Sequence, residues 1–247
     1  MEQIKSKRIK PTFSIIIPAH NEEKYIQKTL NSIKKLNYED FETIVVANGC
    51  ADKTEEIVKK NQEDKNADAN LRVNLRLLSL AKPNVSVARN AGALNAKGEI
   101  LVFLDADTSL EEDALQKIKE EFTEEYAIAA TKVKPDEEQL KYRLAMQFKN
   151  FYNSTGIYKG CSGALICRKE DFNKIKGYEP EISVKEHRKL TIKLKPFGKY
   201  RCIDTYVITS MRRFNRWGLG KATIFWLQQW AKAWAGDLKS TDYERIR

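Results

Sequence analysis

The sequence predicts an α/β protein with a mostly parallel central sheet, and three observations carry that prediction. Residues 13–17 form a short, unbroken β-branched run of the kind buried on both faces of a sheet. A helical pattern of apolar residues follows it directly. The succession of strand, loop and helix then repeats from residue 43 onward.

Pro18 ends the first run, so the first strand is expected over 13–17. Behind it Asn21 is placed to cap a helix, Glu22 and Glu23 suit the positive end of a first turn, and Tyr25, Ile26, Leu30 and Ile33 recur at helical spacing. The second unit reads as a strand over 43–46, an Asn48-Gly49 turn and a helix over 53–60 behind an Asp52 cap. A polar stretch over 61–70 reads as an exposed loop, followed by a strand within 73–80 and a helix over 85–96. Residues 100–104 give the next strand, with Asp105-Ala106-Asp107 at its carboxyl end. Beyond Leu110 the pattern changes to longer helices over 140–152 and 185–194, with short strands around 163–167 and 200–209.

In open α/β sheets, ligands bind beyond the carboxyl ends of the strands, where residues 18–21, 47–50 and 105–107 all fall. Three loops are therefore expected to converge on one crevice. Asp105 and Asp107, one residue apart at a strand end, can be aimed at a single divalent ion. Spacing alone leaves a second reading open, in which 105–109 merely ends the strand and Thr108 or Ser109 caps the next helix.

Composition narrows the classes. A chain of 247 residues can bury one good core with extensions. The net charge of +10 attracts anions such as nucleotide phosphates, lipid head groups or nucleic acid. Most basic residues are interspersed with acids, as on an ordinary solvated surface, so no nucleic-acid partner is expected. Cys50, Cys161, Cys167 and Cys202 form no C-x-x-C pair or zinc-like spacing and read as reduced thiols of a cytoplasmic protein. The first ten residues are basic with no apolar region behind them, and no run approaches the ~20 apolar residues of a spanning helix. A dehydrogenase is set aside because no G-x-G-x-x-G follows the first strand.

Four segments in series carry a resemblance: Pro18-Ala19-His20-Asn21-Glu22, the stretch Val45 to Thr54 around Asn48-Gly49-Cys50-Ala51-Asp52, Ala88-Arg89-Asn90-Ala91-Gly92-Ala93, and Gly98 to Asp107. In order and spacing they resemble the family 2 glycosyltransferases. The resemblance implies the GT-A fold, a Rossmann-like domain, with a nucleoside-diphosphate sugar as donor and Mn2+ or Mg2+ as cofactor. It assigns Pro18, Ala19, Asn21, Glu22, Asn48, Arg89, Asp105 and Ala106 to the nucleotide, and Asp107 with Asp105 to the metal. Asn48 can hydrogen-bond a base edge, and Arg89 can brace a carboxylate or phosphate. The family usually places two acids where this chain has Ala47 and Asn48. The donor base therefore stays open, with a UDP-sugar ahead of a GDP-sugar.

Further along, Cys161, Ser162 and Gly163 resemble the family's acceptor-side loop, where small residues let backbone approach the sugar; a plain turn into a strand is the other reading. Where the family carries a Glu-Asp pair whose Asp is the base of an inverting displacement, this chain has Glu186-His187, so either becomes the candidate base. A histidine, with an ordinary pKa near ~6.5, suits that work at neutral pH. An acceptor phosphate, already ionised, would need no strong base. Arg212 and Arg213 resemble an Arg-Arg segment after the last strand that could clamp donor or acceptor phosphates.

Trp226, Trp230 and Trp234 recur at i, i+4 and i+8 in a helical stretch over 222–235, which suits either a bilayer interface or docking on the core. The expected organisation is a GT-A domain over 1–210, with a nucleotide half over 11–110 and an acceptor half over 111–210. A C-terminal amphipathic helical extension covers 211–247. The expected acceptor is a glycan or a lipid phosphate, with peripheral association at the inner face of the cell membrane. Two other readings remain: a nucleotidyltransferase, which should show a Gly-rich phosphate loop after the first strand, and a basic membrane-binding module with no response to metal or nucleotide.

Overall fold

The computed structural model describes residues 11–63, 74–156, 163–182 and 185–234. Eight strands form one sheet in the order β3-β2-β1-β4-β7-β6-β8-β5. Strands β1 (Phe13–Ala19), β2 (Phe41–Asn48), β3 (Asn74–Leu80) and β4 (Ile100–Phe103) make its parallel half. Antiparallel pairing enters with β7 (Leu165–Arg168), which joins β4 to β6 (Tyr126–Pro135). Strand β8 (Lys199–Thr209) runs parallel to β6, and the short β5 (Thr108–Leu110) closes the edge antiparallel to β8.

The helices cover both faces. Ile15 and Ile17 of β1 point into one cluster, with Ile26, Leu30 and Ile33 of α1 (Ile26–Lys34) and Leu115 and Ile118 of α4 (Ala114–Glu121). Ile16 points into the other, with Ala88 and Ala93 of α3 (Val85–Asn95) and Leu190 and Leu194 of α7 (Glu186–Leu194). This alternation makes the three successive isoleucines of β1 necessary, because both of its faces are core. Helix α3 packs close because residue 92 is glycine: a Cβ there would stand 2.4 Å from Ile16 Cγ2. Helix α2 (Thr54–Glu63) follows β2, α5 (Leu140–Ser154) covers β6, and α6 (Lys169–Lys174) follows β7.

Several elements differ from their expected bounds. Strand β1 continues through Pro18 to Ala19, because pairing with β4 ends at Ile16 and Pro18 lies where the strand has only β2 as its neighbour. Asn21 does not cap α1; it adopts a left-handed conformation (φ 54°), and its Oδ1 accepts from the Ala51 N–H at 2.8 Å. Residues 108–110 are a strand rather than a cap, since Thr108 pairs with Thr209 across a sheet edge that no local pattern reveals. Strand β6 and helix α4 are additions to the predicted set. Helix α8 (Arg212–Trp234) begins ten residues before the predicted 222–235 and is interrupted at Gly218, whose φ of 73° is not helical. Among the described residues, no helix is long and apolar enough to cross a membrane.

Candidate active site

The carboxyl ends of β1, β2 and β4 open on the same side of the sheet, and the loops beyond them are tied together. Asp52 receives the Thr54 N–H (3.0 Å) and the Glu23 N–H (3.0 Å), while Thr54 Oγ1 accepts from the Glu22 N–H (2.8 Å). Asp52 thus caps α2 and also fixes the turn after β1. Beside these loops lies a cleft of about 320 Å3 lined by Asn21, Glu23, Lys24, Tyr25, Ala51 and Asp52. Pro18 and Ala19 form the buried end of β1. Asn48, only 4% exposed, uses its Oδ1 on the Asn84 N–H (2.8 Å), the residue that caps α3. Its side chain therefore joins β2 to α3. The His20 ring nitrogen Nδ1 lies 2.7 Å from the Asn48 carbonyl oxygen.

Beyond β4, Ala106 is buried and its carbonyl accepts from Thr29 Oγ1 at 2.7 Å, which pins the turn while the flanking aspartates face the crevice. Each aspartate meets an arginine. Arg89 Nη2 donates to Asp105 (2.9 Å) and its Nη1 to Glu186 (2.6 Å), so one buried guanidinium from α3 joins the end of β4 to the first turn of α7. Arg212 donates twice to Glu22 (2.7 and 2.8 Å) and once to Asp107 (2.9 Å), and it lies 4.4 Å over the Tyr25 ring. Residues 190 positions apart meet here because the Thr108–Thr209 pairing sets the exit of β8 beside Asp107.

The electrostatics of the two aspartates differ. Although 59% of its side chain is open to solvent, desolvation by the surrounding protein opposes ionisation of Asp105; Arg89, with help from His187 and Arg213, outweighs this and holds its carboxyl below the usual range. Asp107 is more enclosed, and burial pushes its carboxyl up to about 6, with Asp105 and Glu22 adding to the rise against the opposing pull of Arg212. The crevice thus carries more negative charge than Arg212 neutralises.

His187 receives a less predictable partner. Its Nδ1 lies 2.9 Å from the Tyr178 hydroxyl, and burial, followed by the Arg89 charge, pushes the imidazole down to about 4, so it is neutral at pH 7. Tyr178 is held in turn by Asn90, which donates to its carbonyl (2.8 Å) and accepts from its N–H (2.9 Å), and the Arg89 guanidinium stacks 5.4 Å from its ring. The neighbouring Arg89 and Asn90 therefore do separate work, one bracing carboxylates and the other setting the tyrosine behind His187. The sequence offered one sign of this tyrosine in the Gly177-Tyr178 step, where Gly177 takes φ 66° and a Cβ would meet Asn90 Oδ1 at 2.5 Å.

Lys185 was also not singled out: in a left-handed conformation (φ 58°) at the start of α7, it is 9% exposed, and its Nζ has no hydrogen-bond partner among the described residues. Burial, with Arg188, pushes its amine down to about 8. Gly163 packs where a Cβ would stand 2.3 Å from Thr131 Oγ1. Arg213 stacks 5.8 Å from the Trp217 ring. Cys161 and Ser162 lie outside the described residues, as do the side chains of Trp226, Trp230 and Trp234. The described cysteines Cys50, Cys167 and Cys202 are free thiols.

A parallel half sheet with an acid-x-acid turn at the end of β4, continued by an antiparallel half, makes an α/β fold of the GT-A class. The sequence model of glycosyl transferase family 2 matches residues 14–176, about two thirds of the chain, and the chain belongs to that family. It is 30% identical over 117 residues to the GalNAc(5)-diNAcBac-PP-undecaprenol beta-1,3-glucosyltransferase of Campylobacter jejuni, a match covering 47% of this chain and 36% of that protein. Its alignments span 15% to 36% of the length of this and other curated glycosyltransferase relatives. The fold is shared with S. aureus TarS 1–349 solved with UDP-GlcNAc (TM-score 0.61, 21% identity, 81% of this chain and 58% of that one). It is shared also with a mannosyltransferase from Pyrobaculum calidifontis solved with GDP-Man and Mn2+ (TM-score 0.71, 16% identity, 96% and 67% covered).

Proposed function

We propose that this chain is an inverting glycosyltransferase that passes a sugar from a nucleoside diphosphate, UDP ahead of GDP, to an acceptor glycan or lipid phosphate. One observation carries the reading: Asp105 and Asp107 stand on one turn at a strand end, each engaged by an arginine from a different part of the chain.

The residues fit a hard divalent cation. Carboxylate oxygens suit Mg2+ and Mn2+, and a crevice in which repulsion from Asp105 and Glu22 helps raise Asp107 to about 6 has negative charge that such an ion would relieve. Among the described residues no group of three or more His, Cys, Asp or Glu is arranged to hold a metal. Asp105 and Asp107 would therefore share the ion with phosphate oxygens and water, a pattern common for Mg2+. The ion, when bound, supplies charge stabilisation to the departing diphosphate. The Mn2+ named with the Pyrobaculum structure supports this reading.

The chain's own residues do the rest. Arg212, once its fork leaves Glu22 and Asp107, would take phosphate oxygens, with Arg213 beside it in the chain as the second guanidinium. Glu186 and His187 stand at the start of α7 as candidate bases for the acceptor hydroxyl. His187 can accept a proton at Nε2 only in the tautomer whose Nδ1–H donates to the Tyr178 oxygen, and the Tyr178 hydroxyl, able to donate or accept, can pair with that form. An acceptor glycan carried on a lipid is supported by the GalNAc(5)-diNAcBac-PP-undecaprenol named in the Campylobacter relative, and it would place the enzyme on the inner face of the cell membrane.

The test is a melting panel of UDP-, GDP- and dTDP-sugars with and without Mn2+, read beside Asp107→Ala. Stabilisation that needs both metal and one of these nucleotides, and that vanishes with the variant, is expected. Full transfer activity in Asp107→Ala would end the metal reading.

A further inference from the structure

Helix α5 presents two unlike faces. Its inner face buries Tyr142, Met146 and Asn153, and Asn150 exchanges two hydrogen bonds with the Val133 backbone (both 2.8 Å). Its outer face carries Leu140, Leu144, Phe148 and Phe151, exposed by 68, 56, 73 and 69% respectively. At i, i+4, i+8 and i+11 these four lie along one stripe opposite the buried side chains. Contiguous apolar patches of a few hundred Å2 mark interaction sites rather than ordinary scatter.

Charge selects the occupant. Exposed Lys141 and Arg143 flank the stripe on its two sides, no Asp or Glu lies within α5, and the nearest acids, Glu137 and Glu138, precede its first turn. We propose that the outer face of α5 docks on the surface of an anionic lipid bilayer. The leucine and phenylalanine side chains enter the boundary between head groups and acyl chains, and the lysine and arginine meet lipid phosphates. A second copy of the chain fits the face poorly. Like charges would be brought together, and four side chains fall short of the ~800 Å2 per partner of a stable interface.

Helix α5 also adjoins the Arg212 turn, through its inner face. Tyr142 of α5 donates from its hydroxyl to Asn215 Oδ1 (2.5 Å) and packs its ring 6.1 Å from Phe214, in the turn of α8 that carries Arg212. Docking would therefore leave the turn that carries Arg212 one helix diameter, ~10 Å, behind the head-group layer. Any bearing of that distance on transfer rests on the proposed transferase reading, whereas docking itself does not.

The experiment is sedimentation of the full chain with vesicles of phosphatidylcholine alone or with 30% phosphatidylglycerol. Binding to the anionic vesicles is expected to weaken at least tenfold in Leu144→Glu/Phe148→Glu and in the milder Leu144→Ser/Phe148→Ser. Lys141→Glu/Arg143→Glu should lose the preference for the anionic vesicles. Melting and donor-induced stabilisation should stay at wild-type values in all three, which separates this test from that of the transferase reading. Absence of wild-type binding, or equal binding by both Leu144/Phe148 variants, would overturn the inference. So would a wild-type dimer that those two variants dissociate.

Discussion

Arg89 is the residue on which the crevice depends most, and removing it gives a sharp test. Its side chain is 4% exposed and compensates two carboxylates, Glu186 at 13% and Asp105 at 59% exposure. Arg89→Met keeps much of the volume and removes the charge. Breaking a buried pair by deleting one partner costs about 3–5 kcal/mol, and the low end applies because Asp105 can be rehydrated. About 3 kcal/mol in a chain of this size lowers Tm by roughly 6–12 °C. The stranded charge is mainly Glu186, so Arg89→Met/Glu186→Gln should melt several degrees above Arg89→Met although it carries one more substitution. Calorimetry on the pair decides the matter. A single variant melting within 2 °C of wild type, or a double variant no more stable than the single, would refute the account of Arg89 as a buried counter-ion.

Arg212 donates to Asp107 and competes with a cation for that carboxylate, so Arg212→Gln should bind Mn2+ alone about tenfold more tightly, the worth of one charge-assisted hydrogen bond; titration calorimetry or Mn2+ electron paramagnetic resonance reads this. Gly92→Ala would drive its Cβ into Ile16 and should cost about 1–3 kcal/mol in denaturant unfolding, with no selective effect on donor affinity in the folded fraction. His187, at about 4, lies below the ordinary value of ~6.5, so folding favours its neutral form. The stability it contributes is complete above ~6.5 and is lost as pH falls through about 4, amounting to no more than ~3 kcal/mol and less for its partial exposure. His187→Gln should flatten that part of the pH–stability curve, and NMR titration can follow the residue because the chain has only 2 histidines.

The parallel half of the sheet was legible because its signals are local. Both faces of β1 are core, so Ile15, Ile16 and Ile17 follow one another without a polar break. The loops after β1 and β2 carry polar residues whose partners lie in the other loop, and the Asp105-Ala106-Asp107 turn must expose acids at a strand end. The antiparallel half was harder to read. Strand β6 reads YAIAATKVKP, small and mixed, because β7, β8 and α5 supply much of its burial. Strand β5 has three residues and is defined by its partner. Asn21 and Asn48 look locally like a cap and a turn residue, yet each spends its side-chain oxygen on the backbone of a different segment.

The sequence alone determined the class of fold, the strand ends that open on one side of the sheet and the identity of the acids there, since burial periodicity and turn chemistry act over a few residues. Tertiary structure alone decided the pairing of charges. Arg212 reaches Glu22 across 190 positions, Arg89 bridges β4 to α7, and Tyr178 stands behind His187. Such contacts depend on how strands are ordered and how helices cross them. Coulomb attraction and hydrogen bonding at 3 Å then select partners that no spacing along the chain encodes.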